Sequence, residues 1–171
     1  MQKFGLGVLA ALVLSAGVTY TAQKTDDQVM REVRDRAEIE DLMWRYTRAL
    51  DTTDAAAYAA VYTPDGQFGT GANATKGKEA LTKMVADLRA SRVANDAKGV
   101  RNPPMYHMTA NHAITFIDRD HARVDAYYLT AFGPAGQETP LRVAAVGRSV
   151  DELVRVNGKW LIKTRNVAPQ N

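Results

Sequence analysis

Cysteine is absent from this 171-residue sequence. No disulfide braces the fold, and thiol catalysis, Cys-based metal sites and a lipoprotein anchor on an N-terminal Cys are all excluded. A surplus of charge of one sign is missing as well. The 22 Lys and Arg stand against 19 Asp and Glu, interspersed as in Arg31-Glu32 and Arg34-Asp35-Arg36-Ala37-Glu38. A net charge of +3 spread in this way describes a mixed solvated surface and argues against a nucleic-acid partner, which needs positive charge clustered on one face. There is no internal repeat, no low-complexity tract and no Gly-rich phosphate loop. Gly66, Gly69 and Gly71 do not sit between a strand and a helix with an acidic follower. Long apolar runs are lacking too, with one exception at the N-terminus.

That exception runs from Phe4 to Val18 behind a single positive charge at Lys3. At about fifteen residues it is short for a membrane span and suits the apolar segment of a signal peptide. Cleavage after Gly17 or after Ala22 fits the small residues that follow, and an uncleaved single anchor is the alternative. Residues 1–22 are therefore read as an export signal or anchor, with a periplasmic or secreted location for the folded part and a membrane association only if the segment is retained. The whole chain is 46% hydrophobic and 24% charged, the profile of a soluble globular protein, and what remains beyond residue 22 is long enough for one core.

Residues 23–28 read as a polar tether and residues 29–168 as the domain. Apolar positions at Val29, Val33, Ala37, Ile39, Leu42-Met43, Tyr46, Ala49 and Leu50 follow helical spacing over about five turns. Asp54 is placed to cap a second short helix, AAAYAAVY, which Pro64-Asp65-Gly66 ends. Gln67 to Ala74 reads as a short strand and loop, and Glu79 to Arg92 as a third helix with Leu81, Met84, Val85 and Leu88 on one face. After Pro104 the period moves towards two. Strands are expected over 105–118, 121–132, 141–156 and 159–167, the third bent near Gly147 and the last two joined by an Asn157-Gly158 hairpin turn. Three helices followed by a strand meander make an α+β protein with helices on one face of a curved antiparallel sheet.

Three groups of residues resemble the SnoaL-like branch of the NTF2-like superfamily in their order along the chain. The first is Ile39-Glu40-Asp41-Leu42 with Arg45-Tyr46, Ala49-Leu50-Asp51, Asp54 and Tyr62-Thr63-Pro64-Asp65-Gly66. The second is Tyr106-His107-Met108-Thr109-Ala110-Asn111. The third is Asp151-Glu152-Leu153, Asn157-Gly158-Lys159-Trp160 and Arg165. The resemblance implies an NTF2-like cone, a curved sheet wrapping a pocket that the long first helix closes. The branch includes scytalone dehydratase and hexachlorocyclohexane dehydrochlorinase, which use an Asp–His pair, and Asp51 and His107 stand where that pair belongs. It also implies a homodimer or homotrimer formed through the outer face of the sheet.

Each candidate has a plain structural reading beside the functional one. His107 supplies an imidazole suited to proton abstraction near neutral pH, or it is a satisfied histidine in a half-buried strand. Asp51 sits against the helix dipole at the end of the first helix and orients the imidazole, or it is a turn Asp bonded to local backbone. Tyr46 faces the pocket as a donor, or is an ordinary amphipathic-helix tyrosine. Arg165 stabilises negative charge in the pocket, or is a surface residue at a strand end. Tyr128 and Thr130 share strand parity with Ala122, Val124 and Ala126 and point into the cone, while Tyr127 and Asp125 face outward. Asn111 shares parity with His107 and is assigned to its structural support. His112 and His121 read as edge or turn residues. His107 and His112 are five apart, on opposite faces of one strand, and neither H-x-H nor E-x-x-H occurs, so no metal site is assigned.

These readings favour a cofactor-independent lyase, of the dehydratase type, or an isomerase acting on a small apolar substrate. A noncatalytic pocket for a small ligand and a dimeric interaction module are the alternatives. Expressed with its full N-terminus in a bacterium, the protein is expected in the periplasm or at the membrane. Cell fractionation with N-terminal sequencing checks this, and a cytosolic product that keeps Met1 contradicts it.

Overall fold

The computed structural model describes residues 24–134 and 140–168. The export signal expected over 1–22 lies outside them. Helix α1 spans Asp26–Asp51, so it starts inside the stretch expected to be a tether. The reason is local: Thr25 caps it, and Thr25 and Gln28 exchange side chain-to-backbone hydrogen bonds in a reciprocal capping box. Its inner stripe, Ile39, Leu42, Met43, Tyr46, Ala49 and Leu50, is buried. Val29, Met30 and Val33 are exposed, so the first two turns run past the core.

Helix α2 (Ala55–Ala60) is capped by Asp54, whose carboxylate accepts the Ala57 N–H at 3.0 Å. It ends sooner than expected, and Pro64-Asp65-Gly66 does not form a turn. Those residues belong to strand β1 (Tyr62–Phe68). A register shift between Tyr62 and Gln67 lets the strand accommodate a proline that cannot donate to the ladder. A two-residue strand β2 (Thr75–Lys76) pairs with β1, and helix α3 (Lys78–Ala97) follows.

The remaining strands are β3 (Met105–Phe116), β4 (His121–Phe132), β5 (Arg142–Val156) and β6 (Lys159–Asn166). The six-stranded sheet has the order β2-β1-β6-β5-β4-β3. It is mixed, not purely antiparallel, because β1 runs parallel to β6. The β5–β6 hairpin turns at Asn157 and Gly158, with φ of 51° and 79°, the pair of positive values that a two-residue turn requires.

Helix α1 is tied across the sheet at two places. Towards its middle, Asp35 forms an ion pair with Arg155 at 2.5 Å, and Glu38 accepts the Trp160 backbone N–H at 2.9 Å. Arg155 stacks over the Trp160 ring, 4.5 Å from its centroid. Ile39, Leu42, Tyr46, Val124, Leu153, Trp160 and Ile162 share one core beneath it.

Three irregularities set which side chains enter that core. The β3–β4 pairing shifts between Ala110 and Ala113, with Asn111 at φ 56°. The β5–β6 pairing shifts between Glu152 and Leu153, so that Lys163 is passed over. The β4–β5 pairing shifts between Thr130 and Ala131. Each inserts one residue and reverses the alternation beyond it.

Candidate functional site

The site begins where α1 ends. A carboxylate at a helix C-terminus faces the negative end of the dipole, and Asp51 is held there by a strand far away in sequence. Strand β3 is the edge of the sheet. His107 donates its backbone N–H to Asp51 Oδ1 at 2.9 Å, and its ring Nδ1 lies 2.9 Å from the same oxygen. The carboxylate thus satisfies an edge-strand donor and orients an imidazole at once. With Nδ1–H directed at the carboxylate, the lone pair of the neutral ring is on Nε2. The two side chains are 20% and 11% exposed, shielded without being sealed.

His107 borders a cavity of about 250 Å³ lined by α1, α2, α3 and the sheet. Tyr46, Tyr58, Tyr128, Thr130 and Arg165 supply its polar groups, and Leu50, Phe68 and Met84 much of its apolar wall. Asp51 stands behind His107, bordering a hollow on the far side with Trp44 and Tyr106. The Tyr128 ring lies against Gly147, where an added Cβ would be 3.0 Å from it, and its hydroxyl donates to the Val167 carbonyl at 3.1 Å.

The cavity floor is charged. Arg165 is 2% exposed and forms an ion pair with Asp151, which is 0% exposed. The guanidinium also stacks on Tyr46, 4.3 Å from the ring centroid. Tyr58 and Tyr62 join their hydroxyls at 3.0 Å beside it. Burial pushes the Tyr46, Tyr58 and Tyr62 phenols above their ordinary value, so all three are neutral donors at physiological pH. Burial also pushes the Asp151 carboxyl up to about 6, although the Arg165 guanidinium beside it pulls the other way.

Tyr46, His107, Tyr128, Thr130 and Arg165 therefore meet around one cavity. Arg165 is not a surface strand-end residue: the passed-over Lys163 puts it on the inner face with Ile162. Tyr127 is 56% exposed, as its parity requires. Ala122, Val124 and Ala126 share the face of Tyr128 but pack in the core below the cavity.

Two readings are corrected by the bulge at Asn111. Asn111 is exposed and off the face that carries His107, so it does not support that side chain. The inserted residue brings His112 onto the same inner face as His107. It lies on the edge strand, as expected, but is turned inward: its side chain is 10% exposed, and Nδ1 lies 2.6 Å from Glu40 Oε2. Tyr58 and Asp151 were not singled out for the site. The signal for Asp151 was its parity with the apolar Leu153, which places a carboxylate on the buried face of a strand.

Among solved structures, the chain is similar to an NTF2-like protein with a cystatin-like fold from Novosphingobium aromaticivorans. That match has 18% identity and a TM-score of 0.67 over 85% of this chain and 90% of the other. It is similar to a provisionally named scytalone dehydratase from the same organism, at 22% identity and a TM-score of 0.62, covering 81% and 85% of the two chains. ActVI-ORFA from Streptomyces coelicolor matches at 22% identity and a TM-score of 0.65, over 79% and 96%. No curated protein matches it in sequence. The architecture is thus an NTF2-like cone, three helices on a curved, open, mixed sheet. The chain belongs to the SnoaL-like domain family, which matches residues 31–166.

The raised value of Asp151 has a thermodynamic consequence. The folded chain keeps this proton where the unfolded chain has released it, so Asp151 contributes stability at low pH that is lost as pH rises. The unfolding free energy of the wild type, relative to Asp151→Asn, is expected to fall by up to about 3 kcal/mol between pH 4 and pH 6. It should level off above about pH 7. Denaturant titrations of both proteins at pH 4, 5, 6 and 7 check this; a difference that grows with pH contradicts it.

Proposed function

We propose that this chain is an exported, cofactor-independent lyase or isomerase that removes a carbon-bound proton from a small, largely apolar substrate. The observation that carries the reading is the Asp51–His107 contact at 2.9 Å beside a largely apolar cavity. His107 Nε2 takes the proton as general base. Asp51 keeps Nδ1 protonated and stabilises the imidazolium that forms, as a carboxylate does for a catalytic histidine elsewhere. Tyr46, held neutral by burial, donates to the oxygen on which negative charge develops. Elimination then expels a leaving group, or the proton returns at another carbon to shift a double bond. The family membership supports a chemistry of this type, and the provisional name of the Novosphingobium structure points to dehydration for that protein.

The test uses 5-nitrobenzisoxazole, a small apolar C–H acid whose ring opening reports general-base catalysis by absorbance. His107→Ala is expected to lose about 10²–10⁴-fold in rate while its melting temperature stays within a few degrees. Asp51→Asn should lose rate in the same direction. Wild-type turnover no faster than that of His107→Ala would sink the base assignment. A large loss of stability in His107→Ala would instead mark a structural histidine.

A second reading concerns assembly. The β3–β4–β5 register puts Tyr106, Met108, Tyr127, Val143 and Val146 on the outer face, each about half exposed or more. Contiguous apolar surface of this kind marks an interface, and we propose a homodimer or homotrimer through it. Light scattering should give a multiple of the monomer mass for the wild type and the monomer mass for Val146→Asp. A monomeric wild type at tens of micromolar removes the proposal.

A further inference from the structure

A second group of acid–base side chains lies beneath the cavity, apart from Asp51 and His107. His112 enters from β3 at the bulge, and Ser149 and Asp151 enter from β5 two residues apart on its inner face. All three are largely or fully buried. His112 Nδ1 is committed to Glu40 Oε2 on α1, at 2.6 Å. Its Nε2 is a buried atom without a hydrogen-bond partner among the described residues, and Ser149 Oγ and Asp151 Oδ1 are buried with no partner but each other. From β6, Arg165 occupies the other Asp151 oxygen. Strand β4 offers this layer only Val124 and Ala126, which carry no charge. On α1 the groups facing it are Glu40 and Tyr46.

This arrangement is incomplete in a defined way. With Nδ1–H on Glu40, a neutral His112 presents a lone pair at Nε2, and an ionised Asp151 presents another at Oδ1. The Ser149 hydroxyl, which bonds Asp151, is a single donor for these two buried acceptors, and the acceptor left without one costs free energy. One proton on either group resolves the conflict, and a water-sized bridge that Ser149 also contacts would carry it between them.

We propose that His112, Ser149 and Asp151 form a second acid–base site in which His112 and Asp151 hold one proton in common, and that this proton governs how much of the Arg165 charge reaches the cavity. When the proton is present, Asp151 offsets less of the guanidinium charge and the floor is more strongly cationic. When it leaves through His112 and Glu40, which is 51% exposed, the ion pair is fully formed and the floor approaches neutrality. His112 is thus a positioning residue that acts through Asp151 and Arg165. The upward push of burial on the Asp151 carboxyl is in keeping with this. The site rests on the proposed chemistry only for its use there. The shared proton stands or falls without turnover.

The experiment has two arms. In the wild-type protein, nitrogen-15 signals of the His112 ring and the carbon-13 carboxyl signal of Asp151 are followed from pH 4.5 to 8.5. They are expected to move on one common curve, with His107 and His121 following their own. In the second arm, naphthalene-2-sulfonate is titrated into the wild type and into His112→Asn, with uncharged 2-naphthol as control. Binding of the sulfonate should tighten several-fold on acidification from pH 7.5 to 5.5 in the wild type, by a clearly smaller factor in His112→Asn, and that of the naphthol in neither. Any contribution of His107 is the same in both proteins and cancels in the comparison. Separate curves for His112 and Asp151 overturn the shared proton. An unchanged pH dependence in His112→Asn overturns its link to Arg165. Failure of 5-nitrobenzisoxazole turnover touches neither arm.

Discussion

A guanidinium and a carboxylate lie together out of water at the centre of this cone, and the rest of the site is arranged around the need to keep them paired. Arg165 and Asp151 face each other on adjacent strands. Taking both charges out of water is costly unless their geometry and remaining bonds are good. The Tyr46 face covers the guanidinium from α1, so the helix that closes the cone also shields the pair. Loss of either charge would leave the other buried and alone. This constraint links α1, β5 and β6.

Strand irregularities are the means by which polar groups enter an otherwise apolar interior. A regular β6 carrying Trp160 and Ile162 inward would send Arg165 out. A regular β3 carrying Met105, His107 and Thr109 inward would send His112 out. One additional residue in each strand reverses the alternation and delivers both Arg165 and His112 to the inner face. The interior is therefore apolar low in the cone, where Ala122, Leu153 and Ile162 pack together, and polar above it, where the cavity opens.

The Asp51–His107 contact joins two features that are each a liability alone. A helix C-terminus disfavours a carboxylate, and an edge strand leaves backbone N–H groups without a neighbour. Placed together, the carboxylate accepts from the strand and from the imidazole through one oxygen. The histidine is fixed by its backbone as well as its ring. That rigidity suits a base that must present Nε2 to a molecule in the cavity.

Much of this was legible in the amino-acid sequence because it depends on neighbours along the chain. Helical spacing marked α1 and α3, Asp54 marked the cap of α2, Asn157-Gly158 marked the hairpin, and the parity of β4 set Tyr128 and Thr130 inward and Tyr127 outward. The Asp51 and His107 pair was legible only through family resemblance, since nothing local connects a helix end to a strand 56 residues on. Other features were decided by tertiary structure alone. Pro64 is in a strand because β6 lies beside it in parallel, and a proline signals a turn when only its neighbours are read. Asn111 and His112 exchanged their expected places because a bulge is a property of paired strands, invisible to a period counted along one of them. Asp151 and Arg165 were both visible as residues, but their joint burial depended on two strands meeting in one register, and charge pairing between distant segments leaves no local trace.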